Sequence, residues 1–191
     1  MNQATPAKRR PAGGFTLIEV LVVIGIMGIF MIVSYPSIMN TMAVRNLDNK
    51  AREIQTFLQM TRLRAIESKI NHRVRFYQPE ATFWAYELQR YEADGTWVTV
   101  ANAPRKSIPV QFNVVITFPI VGSDRVASFS PLGMFPAETI MTPAATFPAY
   151  SPTQNSITLQ SPKLDRPDQQ DERVLRIFMG GSIQYAKGKS A

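Results

Sequence analysis

From Phe15 to Met39 the chain reads FTLIEVLVVIGIMGIFMIVSYPSIM, and Glu19 is its only charged residue. Beyond Glu19 this leaves about 20 uncharged residues, enough helix to cross the roughly 30 Å hydrocarbon core of a bilayer. A single span in lipid must satisfy its own backbone N–H and C=O groups, so it has to be helical. The stretch therefore divides the 191 residues into a polar leader, an apolar helix, and whatever that helix carries. The leader, residues 1–14, contains Lys8, Arg9 and Arg10 and no acid. Positive charge ahead of a first span predicts a cytoplasmic N-terminus, with the rest of the chain on the far side of the membrane.

Other kinds of apolar N-terminus fit these residues less well. A cleaved secretory signal ends in small residues after a shorter core; here the run continues into Ser34-Tyr35-Pro36 with no A-x-A site. Arg9-Arg10 hints at a twin-arginine signal, but Pro11-Ala12-Gly13-Gly14 follows where apolar residues are needed. A plain signal anchor explains the length and leaves Glu19 unexplained. A carboxylate at membrane depth costs about 2.5–3.5 kcal/mol on insertion scales, so it needs a partner or a proton. Its place near the N-terminal end helps, because the helix dipole favours negative charge there. A cut after Gly14 would give Phe15 a free amine four residues from Glu19, and the carboxylate could neutralise that amine or a neighbour's.

These residues carry a family resemblance. Gly14-Phe15-Thr16-Leu17-Ile18-Glu19-Val20 resembles the processing site of type IV pilins and type II secretion pseudopilins. The resemblance implies that a prepilin peptidase cuts between Gly14 and Phe15 and methylates the new N-terminal phenylalanine. A cut after Gly13 would put glycine first and Glu19 one residue too far. Partners implied are other pseudopilin or pilin subunits, the inner membrane and its assembly platform. In a filament Glu19 would pair with the Phe15 amine of an incoming subunit. Pro36 also falls at a familiar family position; it lacks an N–H and clashes with the preceding turn, so it is expected to kink the helix. Gly25 and Gly28 either permit close helix packing or are tolerated membrane glycines.

Past the span, Val44, Leu47, Ala51, Ile54, Leu58, Thr61 and Ala65 recur in steps of three and four, which is one helix face. A coiled coil would show the same steps, but three heptads with Thr61 in the seam favour packing on a small sheet. One helix is thus expected from about Phe15 to Ser68, membrane-spanning over 15–39 and amphipathic over 40–70, with a break or bend near Pro36. Residues 71–191 read as a β-rich head. Strands are predicted at His72–Tyr77, Thr82–Tyr91, Thr96–Val100, Val110–Thr117, Val126–Ser130, Ser156–Gln160, Arg173–Met179 and Ser182–Ala186. Asp94-Gly95 and Gly180-Gly181 mark hairpin turns. Residues 132–155, rich in Pro, Ala and Thr, read as a long exposed loop. The fold class is α+β and pilin-like, a long N-terminal helix on a small, mainly antiparallel sheet.

Ala51-Arg52, Arg64-Ala65-Ile66, Tyr86 with Asp94-Gly95-Thr96-Trp97, Phe129-Ser130-Pro131-Leu132-Gly133 and the final glycine-centred hairpin resemble the H-type pseudopilins, a group that includes the T-type minor pilins. Major pilins commonly close a C-terminal loop with a disulfide, and this chain has no cysteine, which favours a minor subunit. The expected role is structural, in the pseudopilus of a type II secretion system. The alternatives are a minor pilin priming or tipping a type IV pilus, and a DNA-binding minor pilin.

Little remains for catalysis or cofactors. Without cysteine, thiol nucleophiles, zinc fingers and iron–sulfur clusters are excluded. His72, the single histidine, has no G-x-S-x-G serine to serve and reads as a surface or strand residue. Asp165, Asp168, Asp171 and Glu172 form an acidic loop, and the major pseudopilins bind calcium through a C-terminal loop. The spacing here matches no standard calcium loop and Arg166 and Arg173 intervene, so no metal and no cofactor is expected. Trp84, Trp97, Tyr86, Phe83 and Phe112 read as core aromatics rather than a stacking platform. The formal charge of +7 raises nucleic acid, and some T-type minor pilins take up DNA with basic residues in the final hairpin. Here Gly180-Gly181-Ser182-Ile183-Gln184-Tyr185 holds no arginine, and Lys187 and Lys189 follow alone. The leader holds three of the positive charges and residues 45–75 a net five, while residues 76–191 carry ten basic and ten acidic side chains. A neutral head on a basic stalk makes DNA an unlikely partner and anionic lipid or neighbouring subunits the nearer ones.

Overall fold

The sequence folds into one long helix followed by ten short strands, in a computed structural model that describes residues 15–135, 153–164 and 169–190. The leader with Gly14, and most of the stretch 132–155, lie outside the described residues. Two compact units are distinguished, one ending at Met39 and one starting at Asn40. The helix, α1 (Leu17–Ser68), runs uninterrupted through Pro36, so the anticipated break is absent as an interruption. What the ring does locally is deny the Ile32 carbonyl the N–H it would otherwise receive. At the other end Lys69 adopts φ 60°, the left-handed conformation that commonly stops a helix, and Ser68 Oγ donates to the Arg64 carbonyl at 2.6 Å.

The strands are β1 (His72–Glu80), β2 (Phe83–Tyr91), β3 (Trp97–Thr99), β4 (Lys106–Ile108), β5 (Asn113–Ile116), β6 (Ile120–Val121), β7 (Asp124–Phe129), β8 (Ser156–Gln160), β9 (Glu172–Ile177) and β10 (Ile183–Gly188). They form two sheets rather than one. The first is six-stranded, in the order β3-β2-β1-β7-β6 with β4 also on β2; the second runs β10-β9-β8-β5. Every pairing is antiparallel. The strand expected over Val110–Thr117 starts later because the Phe112 N–H turns back to the Pro109 carbonyl, and β4 and β6 were not anticipated. Two- and three-residue strands carry too little periodicity to stand out from turns.

The amphipathic stripe of α1 closes both sheets into one core. Leu47, Ala51, Ile54, Phe57, Leu58, Thr61 and Ala65 are buried, and all but Thr61 belong to one apolar cluster with Val74, Phe76, Tyr86 and Leu88 of the first sheet and Ile157, Leu159, Leu175 and Ile177 of the second. The sheets thus occupy the face a coiled-coil partner would have needed. Thr61, the polar residue in that seam, satisfies itself by donating to the Phe57 carbonyl at 2.8 Å. Tyr86 meets the Phe57 ring edge-on at 5.1 Å and donates to Glu53 at 3.2 Å. Polar clamps flank the stripe: Glu53 pairs with Lys106 of β4 at 3.0 Å, and Asp48 pairs with the buried Arg173 of β9.

The last hairpin turns through Gly180-Gly181, with Gly181 at φ 73°. A Cβ there would sit 1.8 Å from the Gly133 carbonyl oxygen, so only glycine permits the close approach. Arg62 of α1 ties the two segments, donating to the Gly133 carbonyl at 3.0 Å and the Gly180 carbonyl at 3.1 Å.

His72 lies in β1 and is buried, not at the surface. Its Nδ1 donates to the Ile70 carbonyl at 3.1 Å. Burial pulls its pKa below the ordinary 6.5; the carbonyl contact opposes that shift, and the charges of Arg64 and Arg90 reinforce it. The folded chain therefore binds fewer protons than the unfolded chain below pH 6.5, so this contribution to stability is full above 6.5 and is lost as pH falls. The melting temperature of the full chain in detergent should drop between about pH 6.5 and pH 5, and His72→Gln should flatten that part of the profile. An unchanged slope would remove His72 as its cause.

Candidate processing and assembly site

A helix leaves its first N–H groups without intrahelical partners, and the residue just before it usually supplies an oxygen. Thr16 does so here: Glu19 N–H reaches Thr16 Oγ1 at 3.3 Å and the Thr16 carbonyl at 3.1 Å, and Val20 N–H reaches the same carbonyl at 3.3 Å. Thr16-Leu17-Ile18-Glu19 is the Thr-x-x-Glu spacing of a capping box. Thr16 is not among the site residues expected from the sequence; the Thr-x-x-Glu spacing is the sequence signal that marks it. Glu19 lies in the first turn of α1, where its carboxylate complements the helix dipole.

Phe15 precedes the helix with 83% of its surface exposed. From there to Val33 the large apolar side chains are exposed, and the strongly apolar 18-residue window of α1 has none of its surface buried within the chain. Such a surface is stable in lipid or against other apolar helices. Among the described residues nothing lies within 4 Å of a would-be Cβ at Gly25 or Gly28, so neither glycine serves a close contact there. Gly14, the other half of the expected processing site, lies outside the described residues.

The remaining candidates are taken up by the head. Asp165 and Asp168 lie outside the described residues. Asp171 accepts from Ser190 N–H at 2.9 Å, Ser190 Oγ at 2.5 Å and Gln160 Nε2 at 3.1 Å. Burial pushes its carboxyl up, but these bonds outweigh it and hold the pKa near 2, so the carboxylate works as an anchor for the C-terminal residues. Among the described residues no group of three or more His, Cys, Asp or Glu side chains could hold a metal ion. Lys187 lies 3.4 Å from Asp48, which compensates its charge within the head. Of the aromatics read as core, Tyr86 and Phe112 are buried and Trp84 packs against the cluster. Trp97 does not join it: it lies on the opposite face of the first sheet, beneath the Arg73 guanidinium at 4.2 Å from the ring centre.

Comparison with known families matches residues 9–35 to the prokaryotic N-terminal methylation motif. No curated protein matches the chain, and no solved structure matches it. The matched stretch spans Arg9, Arg10, Gly14, Phe15, Glu19 and the apolar run as far as Tyr35.

Proposed function

We propose that the chain is a structural minor pseudopilin of a type II protein secretion system. The methylation motif over residues 9–35 carries this reading, since it supports a pilin-type or pseudopilin precursor. The architecture agrees, with one exposed apolar helix segment continuing into an amphipathic half that packs on antiparallel sheets. On this reading Lys8, Arg9 and Arg10 hold the N-terminus in the cytoplasm, and the head lies in the periplasm. Prepilin peptidase removes residues 1–14 and methylates Phe15. Glu19 then selects the Phe15 amine of a neighbouring subunit as the assembly platform draws the chain from the inner membrane, and Pro36, which has no N–H to donate, loosens the helix. The resemblance of Tyr86, Asp94 to Trp97, Phe129 to Gly133 and the final hairpin is to a group that holds both H-type pseudopilins and T-type minor pilins, so it supports a minor subunit, and the deletion phenotype separates secretion from pilus.

Intact-mass measurement of the chain purified from membranes should give a protein starting at N-methylated Phe15. A strain lacking prepilin peptidase should give the uncut protein from Met1. An uncut terminus with the peptidase present overturns the reading. Deletion should abolish export of secreted proteins and leave surface pili in place; the reverse pattern would move the chain to a type IV pilus.

A further inference from the structure

The outer face of the six-stranded sheet, turned away from the core, carries an arrangement that packing does not require. Strand alternation puts Arg73, Arg75 and Tyr77 of β1 on this face, with Glu87 and Gln89 opposite them on β2 and Ser128 opposite Arg73 on β7. Trp97 of β3 completes one end. Three guanidinium groups meet two carboxylates here. Arg75 binds Asp124 at 2.7 Å and Glu87 at 3.2 Å, and Arg105 binds Glu87 at 3.3 Å. Arg73 is left over: among the described residues no carboxylate lies within 4.0 Å of it. Its Nε donates to Gln89 Oε1 at 2.8 Å, and its plane lies on Trp97 at 4.2 Å.

Arg73 is half-buried even so. Burial, reinforced by the charge of Arg75, pulls its pKa down to about 10, and the more distant Asp124 and Glu87 do not make this good. Beside it the Ser128 hydroxyl is buried and has no hydrogen-bond partner among the described residues. A desolvated cation and an unused hydroxyl cost stability in the isolated head. A planar guanidinium whose terminal nitrogens carry no hydrogen bond among the described residues, set over an indole, is the geometry that takes a carboxylate in two parallel hydrogen bonds. Arg, Trp and Tyr are also the side chains that dominate the energetics of protein interfaces.

We propose that this face docks a protein partner that presents an aspartate or glutamate to Arg73, with Trp97 as the platform beneath the ion pair. The surplus guanidinium makes the partner acidic at the point of contact, and the flat stacked site favours a carboxylate over a point charge. The site lies in β1 and β3, apart from Phe15 and Glu19, so the inference does not depend on how the N-terminus is processed.

The test uses the full chain in its native membranes, with Arg73→Lys, which keeps the charge and offers an amine. Zero-length carbodiimide coupling should join that amine to one aspartate or glutamate of another protein, located by mass spectrometry, and wild type should give no such product. Arg73→Met should keep or raise the melting temperature in detergent while lowering co-purification of the identified partner at least about tenfold. Arg73→Glu should lose the partner, and reversing the identified carboxylate to arginine should restore it. Coupling only to Glu87 or Asp124 of the same chain, or no coupling, overturns the proposal. So does a lower melting temperature in Arg73→Met with co-purification unchanged, which would make Arg73 a packing residue. Salt-sensitive retention of duplex DNA that Arg73→Met abolishes would replace the carboxylate with a phosphate and overturn it equally.

Discussion

Asp48→Ala should lower the unfolding free energy of the full chain by about 3 kcal/mol, the usual cost of stranding one member of a buried ion pair. Arg173 is 1% exposed, and among the described residues Asp48 is the carboxylate paired with it. Its remaining bonds go to the neutral carbonyls of Gln170 at 2.9 Å and Glu172 at 2.7 Å. The same substitution takes the acceptor from Tyr185 Oη, now at 2.8 Å, and the counter-charge from Lys187. Burial raises the Asp48 carboxyl, but the hydrogen bonds from Arg173 and Tyr185 and the charges of Arg173 and Lys187 bring it below the ordinary 3.8. Its stabilisation is therefore present above pH 3.8 and is lost as acid protonates it. Glu53→Ala should cost less, about 1–2 kcal/mol, because its charged partners Lys50 and Lys106 reach solvent and the main loss is the acceptor of the buried Tyr86 hydroxyl. Denaturant titration in detergent separates the two cases. Asp48→Leu combined with Arg173→Met should recover most of the loss, since apolar replacement of a buried pair is often neutral. A single-substitution cost below 1 kcal/mol would show that water, not Asp48, carries the Arg173 charge.

Periodicity made the helix legible as far as Ser68, because Leu47, Ala51, Ile54, Leu58 and Ala65 keep helical spacing and all face the core. It did not reveal the division into two sheets. That depends on β8 pairing with β5 and β9, across sequence gaps that no local pattern spans. Asp48 and Arg173 are 125 residues apart, and each alone reads as an ordinary surface charge. Trp97 was misplaced for a related reason: alternation tells which residues share a face, not which face meets the helix. A lone tryptophan in a three-residue strand cannot decide it.

The candidate N-terminal site stands out in the sequence for the opposite reason, since its residues are consecutive and the chemistry proposed for it is local. Glu19 stood out because membrane insertion penalises any carboxylate. Thr16 was overlooked because a threonine in an apolar run carries no penalty to notice. The two roles predict different phenotypes. Thr16 supports the helix start through one hydrogen bond, worth about 1 kcal/mol in typical caps.

Glu19→Ala should leave membrane insertion intact and reduce incorporation into filaments by roughly 100-fold, the scale set by losing one partner of a charge pair in an apolar setting. Insertion is protected because the substitution removes the one charge of the span. Assembly is not, because the Phe15 amine of a neighbour would enter the apolar interior with nothing to neutralise it. Glu19→Gln keeps the shape and should fail almost as badly, which ties the effect to charge. Glu19→Asp keeps the charge on a shorter stem and should be intermediate. Thr16→Ala, which spares the carboxylate, should cost at most about tenfold. The ratio of subunit in sheared or cross-linked filaments to subunit in membranes reads all four variants on one scale. Wild-type incorporation of Glu19→Ala would remove the ion pair from the assembly step. Equal losses in Thr16→Ala and Glu19→Ala would reassign Glu19 to capping the helix.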